Sequence, residues 1–139
     1  MTEYVLGFLF SEDKQRVALI KKNNPVWQRG LYNGIGGKIE DSETPYEAMV
    51  REFKEETGVK FTGWVEALNM FSNEIFTNTI FVGFSNKAIS EVRTVTDESV
   101  IVVPVGSVLG VIPNLRWIMP LLLDTKLRLP GWSSRIQYD

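Results

Sequence analysis

The first apolar runs of the chain are short and strand-like. Tyr4 to Phe10 and Arg16 to Lys21 are rich in β-branched and aromatic residues, and the polar segment Ser11-Glu12-Asp13-Lys14-Gln15 lies between them. This pattern predicts two strands joined as a hairpin. From Asn23 to Gly37 the pattern breaks into Asn, Pro and Gly, with Gly30, Gly34, Gly36 and Gly37 marking a structured loop where the backbone must turn sharply or approach something closely. Thr44-Pro45-Tyr46-Glu47 then forms a capping box with proline at the first helical position, and Gly58 suits the left-handed residue that closes a helix. A helix is therefore expected from Pro45 to Thr57, with Tyr46, Met49, Val50 and Phe53 as an apolar stripe facing a sheet. Phe61 to Phe71, Phe76 to Phe84 and Val100 to Val105 read as further strands, and Asn114 to Lys126 as a second helix that Pro120 interrupts.

Length and composition narrow the chemistry. The 139 residues predict one domain spanning 1–139. Fifteen basic against 17 acidic residues leave a net charge of −2, so no basic surplus points to nucleic acid or an anionic membrane. Histidine and cysteine are both absent, which excludes disulfides, zinc sites built on thiolate or imidazole, cysteine nucleophiles and every Ser-His-Asp mechanism. Acid–base or metal chemistry must rely on oxygen. The start of the chain has no basic, apolar leader, and the longest mainly apolar run, Trp117 to Leu123, is too short to span a bilayer. The expectation is a cytoplasmic protein.

The predicted first helix supplies those oxygens. At about 100° per residue, Glu52, Glu55 and Glu56 fall in one arc apart from the apolar stripe. Like charges at this spacing repel by a few tenths of a kcal/mol per pair, roughly, and a divalent cation would compensate them. Carboxylate donors favour Mg²⁺ or Mn²⁺, which commonly bind through a few carboxylates together with substrate phosphate oxygens. Gly37 to Val59 carries seven acidic and three basic residues, so a polyanionic substrate would be repelled there unless metal ions bridged it. Glutamate is also a strong helix former, and three of them alone are equally what a solvated face looks like.

Spacing separates the two readings. Gly37, Glu43, Arg51-Glu52-Phe53, Glu55-Glu56 and Gly58-Val59 match in full the pattern G-x5-E-x7-R-E-U-x-E-E-x-G-U, where U is apolar. Fixed identities at roughly 6% background each give a chance match on the order of 10⁻⁹ per starting position. The chain resembles a Nudix hydrolase. The resemblance implies an α/β/α sandwich with a mixed central β-sheet, and hydrolysis of a nucleoside diphosphate linked to another moiety by water attack on phosphorus with Mg²⁺ or Mn²⁺. Carried over to this chain, it makes Glu52, Glu55, Glu56 and the carbonyl of Gly36 metal ligands, with Glu52 or Glu55 also a candidate base. Arg51 and Glu43 become a pair that orients the helix. Many members add an acid from a later loop; Glu98, beside Asp97, is the nearest candidate here, with Glu91 as a second choice.

Flanking segments bear on the substrate. Asn33-Gly34-Ile35-Gly36-Gly37-Lys38 is similar to a segment of the eukaryotic-type 8-oxo-dGTP diphosphatases in which the Asn reads a purine, and an amide offers both a donor and an acceptor for that purpose. Asn before Gly also suits a tight turn. Pro113 to Leu123 is similar to a helix start in the same enzymes, but Ile112 and Asn114 stand where Trp and Asp would be expected. Purine recognition is therefore better supported than selectivity for an oxidised base. Trp27, Tyr32 and Trp117 are candidate stacking residues, and Lys21, Lys22, Arg29 and Lys38 candidate phosphate contacts. No proline occurs between Val59 and Val103, which speaks against the ADP-ribose type. The expected partner is a small nucleotide, with no nucleic acid or membrane, acting on a monomer or homodimer. Other diphosphate conjugates, or a non-catalytic nucleotide-binding module, are the alternatives.

Overall fold

In the computed structural model the described residues are 2–71, 75–107 and 110–124, with the backbone of Ser134–Gln137. Strands β1 (Thr2–Phe10) and β2 (Arg16–Lys21) form the expected hairpin, closed by Ser11 N–H donating to the Arg16 carbonyl at 3.0 Å. The glycine-rich segment is more ordered than a loop. It contains a 3-10 turn at Val26–Gln28 and two short strands, β3 (Tyr32–Asn33) and β4 (Ile35–Lys38). β4 pairs antiparallel with the first half of β1, from Tyr4↔Lys38 to Gly7↔Ile35, while β2 pairs with its second half. Two or four residues are too few for alternation to announce a strand.

Helix α1 spans Pro45–Thr57 as expected, with Thr44 and Glu47 in a reciprocal capping box and Gly58 closing the helix at φ 79°. Strands β5 (Val65–Phe71) and β6 (Phe76–Phe84) follow. The expected extension of β5 back to Phe61 does not form. Phe61 instead packs edge-on against Trp64 at 4.9 Å between centroids, and Trp64 against Phe53 at 5.1 Å. A six-residue helix, α2 (Asn86–Glu91), capped by Ser85, was not anticipated. Strand β7 (Val100–Pro104) ends one residue before the expected Val105. Helix α3 (Leu115–Leu122) includes Pro120; Asn114 is its cap rather than its first residue, and the expected end at Lys126 lies outside the described residues. A last strand, β8, covers Ser134–Gln137.

The sheet runs β3-β2-β1-β6-β5-β8, with β4 added on β1 and β7 on β2. It is mixed: β1 and β6 are parallel, as are β5 and β8, and the other pairs are antiparallel. Period-two alternation sends each strand's side chains to opposite faces. Phe8, Phe10, Val17 and Leu19 meet Leu115, Ile118, Met119 and Leu122 of α3. Val5, Leu9, Ala18 and Ile20 meet Met49 and Phe53 of α1 together with Ala88 and Ile89 of α2. The result is the expected α/β/α sandwich. Among the described residues no helix is long and apolar enough to cross a membrane.

Candidate active site

The apolar stripe of α1 fixes which way its charged arc points. Ala48, Met49, Phe53 and Thr57 are buried, and a buried Phe or Met side chain stabilises by about 1.5–3 kcal/mol. With those residues committed to the sheet, Glu52 and Glu56 are held at the margin of the packed face and Glu55 outside it. Gly37 of β4 lies directly beneath. A Cβ at that position would come within 2.6 Å of the Glu52 carboxylate, so glycine is what lets strand and helix approach here.

Arg51 organises the arc. Its guanidinium grips Glu43 with two bonds, Nε to Oε2 at 2.6 Å and Nη2 to Oε1 at 2.9 Å, and donates from Nη2 to the Lys38 carbonyl at 3.1 Å. Nη1 donates to Glu52 Oε1 at 2.9 Å and to Glu55 Oε2 at 3.2 Å. The bidentate contact to Glu43, the strongest geometry an Arg–carboxylate pair can adopt, ties the loop before α1 to the helix and, through Lys38, to the end of β4. Arg51 holds the Glu43 carboxyl below its ordinary range, and Glu43 in turn raises the guanidinium. Glu40, which the motif does not mark, adds an ion pair to Arg51 at 3.5 Å and donates its backbone N–H to Glu43 Oε1 at 2.9 Å.

The three glutamates are not equivalent. Glu55 has a side chain 57% exposed, whereas that of Glu52 is 13% exposed. Burial pushes Glu52 up, with Arg51 opposing. Glu56 is the extreme case: Oε2 is buried without a hydrogen-bond partner, and burial pushes its carboxyl up to about 8, opposed by Lys22 and reinforced by Glu52, Glu98 and Glu55.

Glu98 comes to this cluster from the loop before β7, 42 positions beyond Glu56 in sequence. It pairs with Lys22 Nζ at 3.4 Å and accepts the Asn23 backbone N–H at 2.6 Å, while Asn23 Nδ2 donates to the Asp97 carbonyl at 3.0 Å. Pairing of β2 with β7 carries Lys22 and Glu98 to the same sheet end. Asn23, absent from the sequence-based candidates, has no motif to reveal it.

These residues fit a divalent cation in two respects. The donors are all oxygens, as hard cations require, and a buried carboxylate oxygen with no partner is a group that a cation would satisfy. Among the described residues no three acidic side chains converge as a ready-made cage. Arg51 holds Glu52 and Glu55, and Lys22 holds Glu98, so the acids stand apart around Glu56. Mg²⁺ is usually bound by one or two carboxylates together with water and substrate phosphates, so it does not need such a cage.

The candidate substrate residues divide. Asn33 follows the turn pattern, its Oδ1 accepting the Gly34 N–H at 2.8 Å, while its Nδ2 donates to Gln28 at 3.4 Å. Lys38 is exposed at the end of β4, next to the Arg51 contact. Lys22 is committed to Glu98. Asn114 caps no N–H of α3, and Trp117, on α3, is 39% exposed. Trp27 is also exposed, whereas Tyr32 lines an apolar cleft of about 210 Å³ with Leu19, Ile101, Val103, Ser107 and Val111. That cleft holds no acid, so it is not where phosphate chemistry could occur.

Fold and site together define an α/β/α sandwich in which an acidic helix crosses a glycine strand. Residues 2–120 match the family model described as the NUDIX domain, and the chain belongs to the Nudix family, hydrolases acting on phosphoric anhydrides. Solved structures agree on the fold. MutT from Bacillus halodurans is similar at 19% identity and a TM-score of 0.73, over 90% of this chain and 84% of that one. A structure from the work on MutT of Aliivibrio salmonicida and Vibrio cholerae matches at 17% identity and 0.68, over 86% and 96%. An ADP-ribose pyrophosphatase from Streptococcus suis matches at 18% and 0.70, over 97% and 98%.

Proposed function

We propose that this Nudix hydrolase is a Mg²⁺- or Mn²⁺-dependent pyrophosphohydrolase that cleaves a purine nucleoside triphosphate, with water, to the monophosphate and pyrophosphate. The observation that carries the reading is the buried, unpartnered Glu56 oxygen amid Glu52, Glu55 and Glu98, set above the Gly36-Gly37 strand. Glu52, Glu55, Glu56 and Glu98, with the Gly36 carbonyl, would hold the cation. When bound, it would neutralise the diphosphate, polarise the scissile P–O bond and lower the pKa of water. Arg51 and Glu43 position the helix, and Glu52 or Glu55 takes the proton from the attacking water, each within reach of Arg51 to stabilise its charged form. Lys38, exposed at the end of β4, meets the outer phosphates, and Lys22 joins it when a cation takes Glu98 from their ion pair. Asn114 and Trp117, on α3, supply base contacts, and Asn33 joins them by exchanging its long Nδ2 bond to Gln28 for one to the base.

The fold does not choose among substrates, since MutT and ADP-ribose pyrophosphatase structures match it about equally. Specificity constants for ordinary and oxidised nucleoside triphosphates, ADP-ribose, nucleotide sugars and dinucleoside polyphosphates, with and without Mg²⁺, test the reading. It requires metal-dependent monophosphate and pyrophosphate release, highest for a purine triphosphate. Preference for another conjugate replaces the substrate, and no turnover on the whole panel replaces the enzyme with a binding module.

A further inference from the structure

Among the described residues, buried side-chain atoms without a hydrogen-bond partner include two amide oxygens, Asn78 Oδ1 and Asn114 Oδ1. Folded proteins leave few buried acceptors unpaired, because each forfeits its bond to water without replacement. Both lie on the α3 side of the sheet. Asn78 is in register with Tyr4 of β1 and Met70 of β5, and alternation places it on the same face as Ile80 and Val82, which belong to the core beneath α3. Asn114 stands between buried Ile112 and Leu115, and both of these share that core cluster with Met70. One amide thus approaches the cluster from the sheet and the other from the start of the helix.

The same rows of the sheet end at β4, whose Gly37 touches Glu52 of the acidic helix from the opposite face. Lys38, Tyr4, Asn78 and Met70 form one row across β4, β1, β6 and β5, and Gly36, Leu6, Ile80 and Leu68 form the next. With neighbouring strands about 4.8 Å apart, Asn78 lies roughly 10 Å from the backbone of β4. A nucleotide with its phosphates at the end of β4 would span that distance to place its base over Tyr4 and Leu6.

We propose that Asn78 is a specificity-determining residue of the nucleotide site: its side-chain carbonyl, with that of Asn114, accepts N–H bonds from a base bearing an exocyclic amine. With the two amide oxygens as the unpaired groups, a base that presents N–H donors there satisfies both. A site built to bond an N–H group discriminates against the analogue lacking it, because its own acceptors are then left unpaired. The inference rests on the purine nucleotide reading above and adds the group that is read.

Matched triphosphates differing only in the amine test it: guanosine against inosine, and adenosine against purine riboside. For at least one pair the wild-type enzyme is expected to favour the amine-bearing member by about tenfold or more in kcat/KM, expressed mainly in KM. Asn78→Leu, which keeps the branched shape but removes the acceptor, should bring that ratio to within about threefold of unity, with the larger loss falling on KM for the amine-bearing member. Asn78→Asp, which keeps an acceptor, should retain the preference. Thermal melting of both variants separates misfolding from lost recognition, and the wild-type ratios remain decisive if Asn78→Leu fails to fold. Equal wild-type turnover within both pairs, or an unchanged ratio in folded Asn78→Leu, overturns the role of Asn78 and leaves the hydrolase reading intact. Wild-type turnover only on diphosphates without a purine overturns both.

Discussion

The two long helices that enclose the sheet are held by different means. α1 is specified locally, with Pro45 at its start, reciprocal Thr44 and Glu47 bonds and Gly58 at its end. α3 has none of this: Asn114 makes no capping bond, Pro120 removes an N–H from its interior, and the helix persists because Leu115, Ile118, Met119 and Leu122 are buried. The difference follows from what each carries. α1 brings Glu52, Glu55 and Glu56 onto one arc, which opposes helix formation, so strong ends and the Arg51 clamp compensate. α3 is mainly apolar and can rely on burial, leaving its first turn free of local constraints.

The largest effect that would sharpen this contrast lies in chemistry. Glu56→Gln removes a charge but little volume, and kcat should fall at least about 10²-fold with α1 intact by circular dichroism. Near-wild-type turnover in the folded variant would remove Glu56 from the metal assignment. A smaller effect separates the helix starts. Thr44→Ala should destabilise the protein by about 1 kcal/mol in urea unfolding. Asn114→Ala should change stability by less than about 0.5 kcal/mol, because no cap is lost and an unpaired acceptor disappears. Equal losses would mean that the two helices are capped alike.

The third effect depends on pH. Glu56 carries a folded pKa of about 8, above its ordinary 4.5, because it is buried. Between these values the folded metal-free protein holds a proton that the unfolded chain releases, so this group's contribution to stability declines as pH rises from about 4.5 to about 8 and levels off above. Glu52, also raised, acts in the same direction. The melting temperature of the metal-free protein should therefore fall across this window. Mg²⁺ should oppose the fall most strongly at its alkaline end, where the site is fully charged. Glu56→Gln should flatten the slope; an equally steep slope in that variant would place the titration elsewhere.

The parts legible in advance were those whose cause is local or strongly patterned. β1 and β2 follow from runs of β-branched and aromatic residues, α1 from its capping box and apolar stripe, and the box spacing includes both Arg51 and Glu43, which bond each other. β3 and β4 escaped because Tyr32–Asn33 and Ile35–Lys38 are too short to show a period and owe their extension to pairing with Lys21 and with Tyr4 to Gly7. Phe61 to Trp64 looked like strand because aromatics favour both sheets and cores, and here Phe53 and Trp64 claimed the ring. Ser85 could have signalled α2, but six residues make a weak pattern.

By itself, the amino-acid order determined the chemical inventory: oxygen donors only, three acids at helical spacing, an arginine beside them and a glycine-rich segment ahead. Those properties depend on composition and on separations of a few residues, which backbone geometry converts directly into neighbours. Tertiary structure decided which acids are buried, brought Glu98 beside Lys22 across the β2–β7 pairing, and left Asn78 and Asn114 unpaired on one face of the sheet. Burial and long-range proximity come from strand register and layer packing, and each is settled only when the whole sheet has assembled.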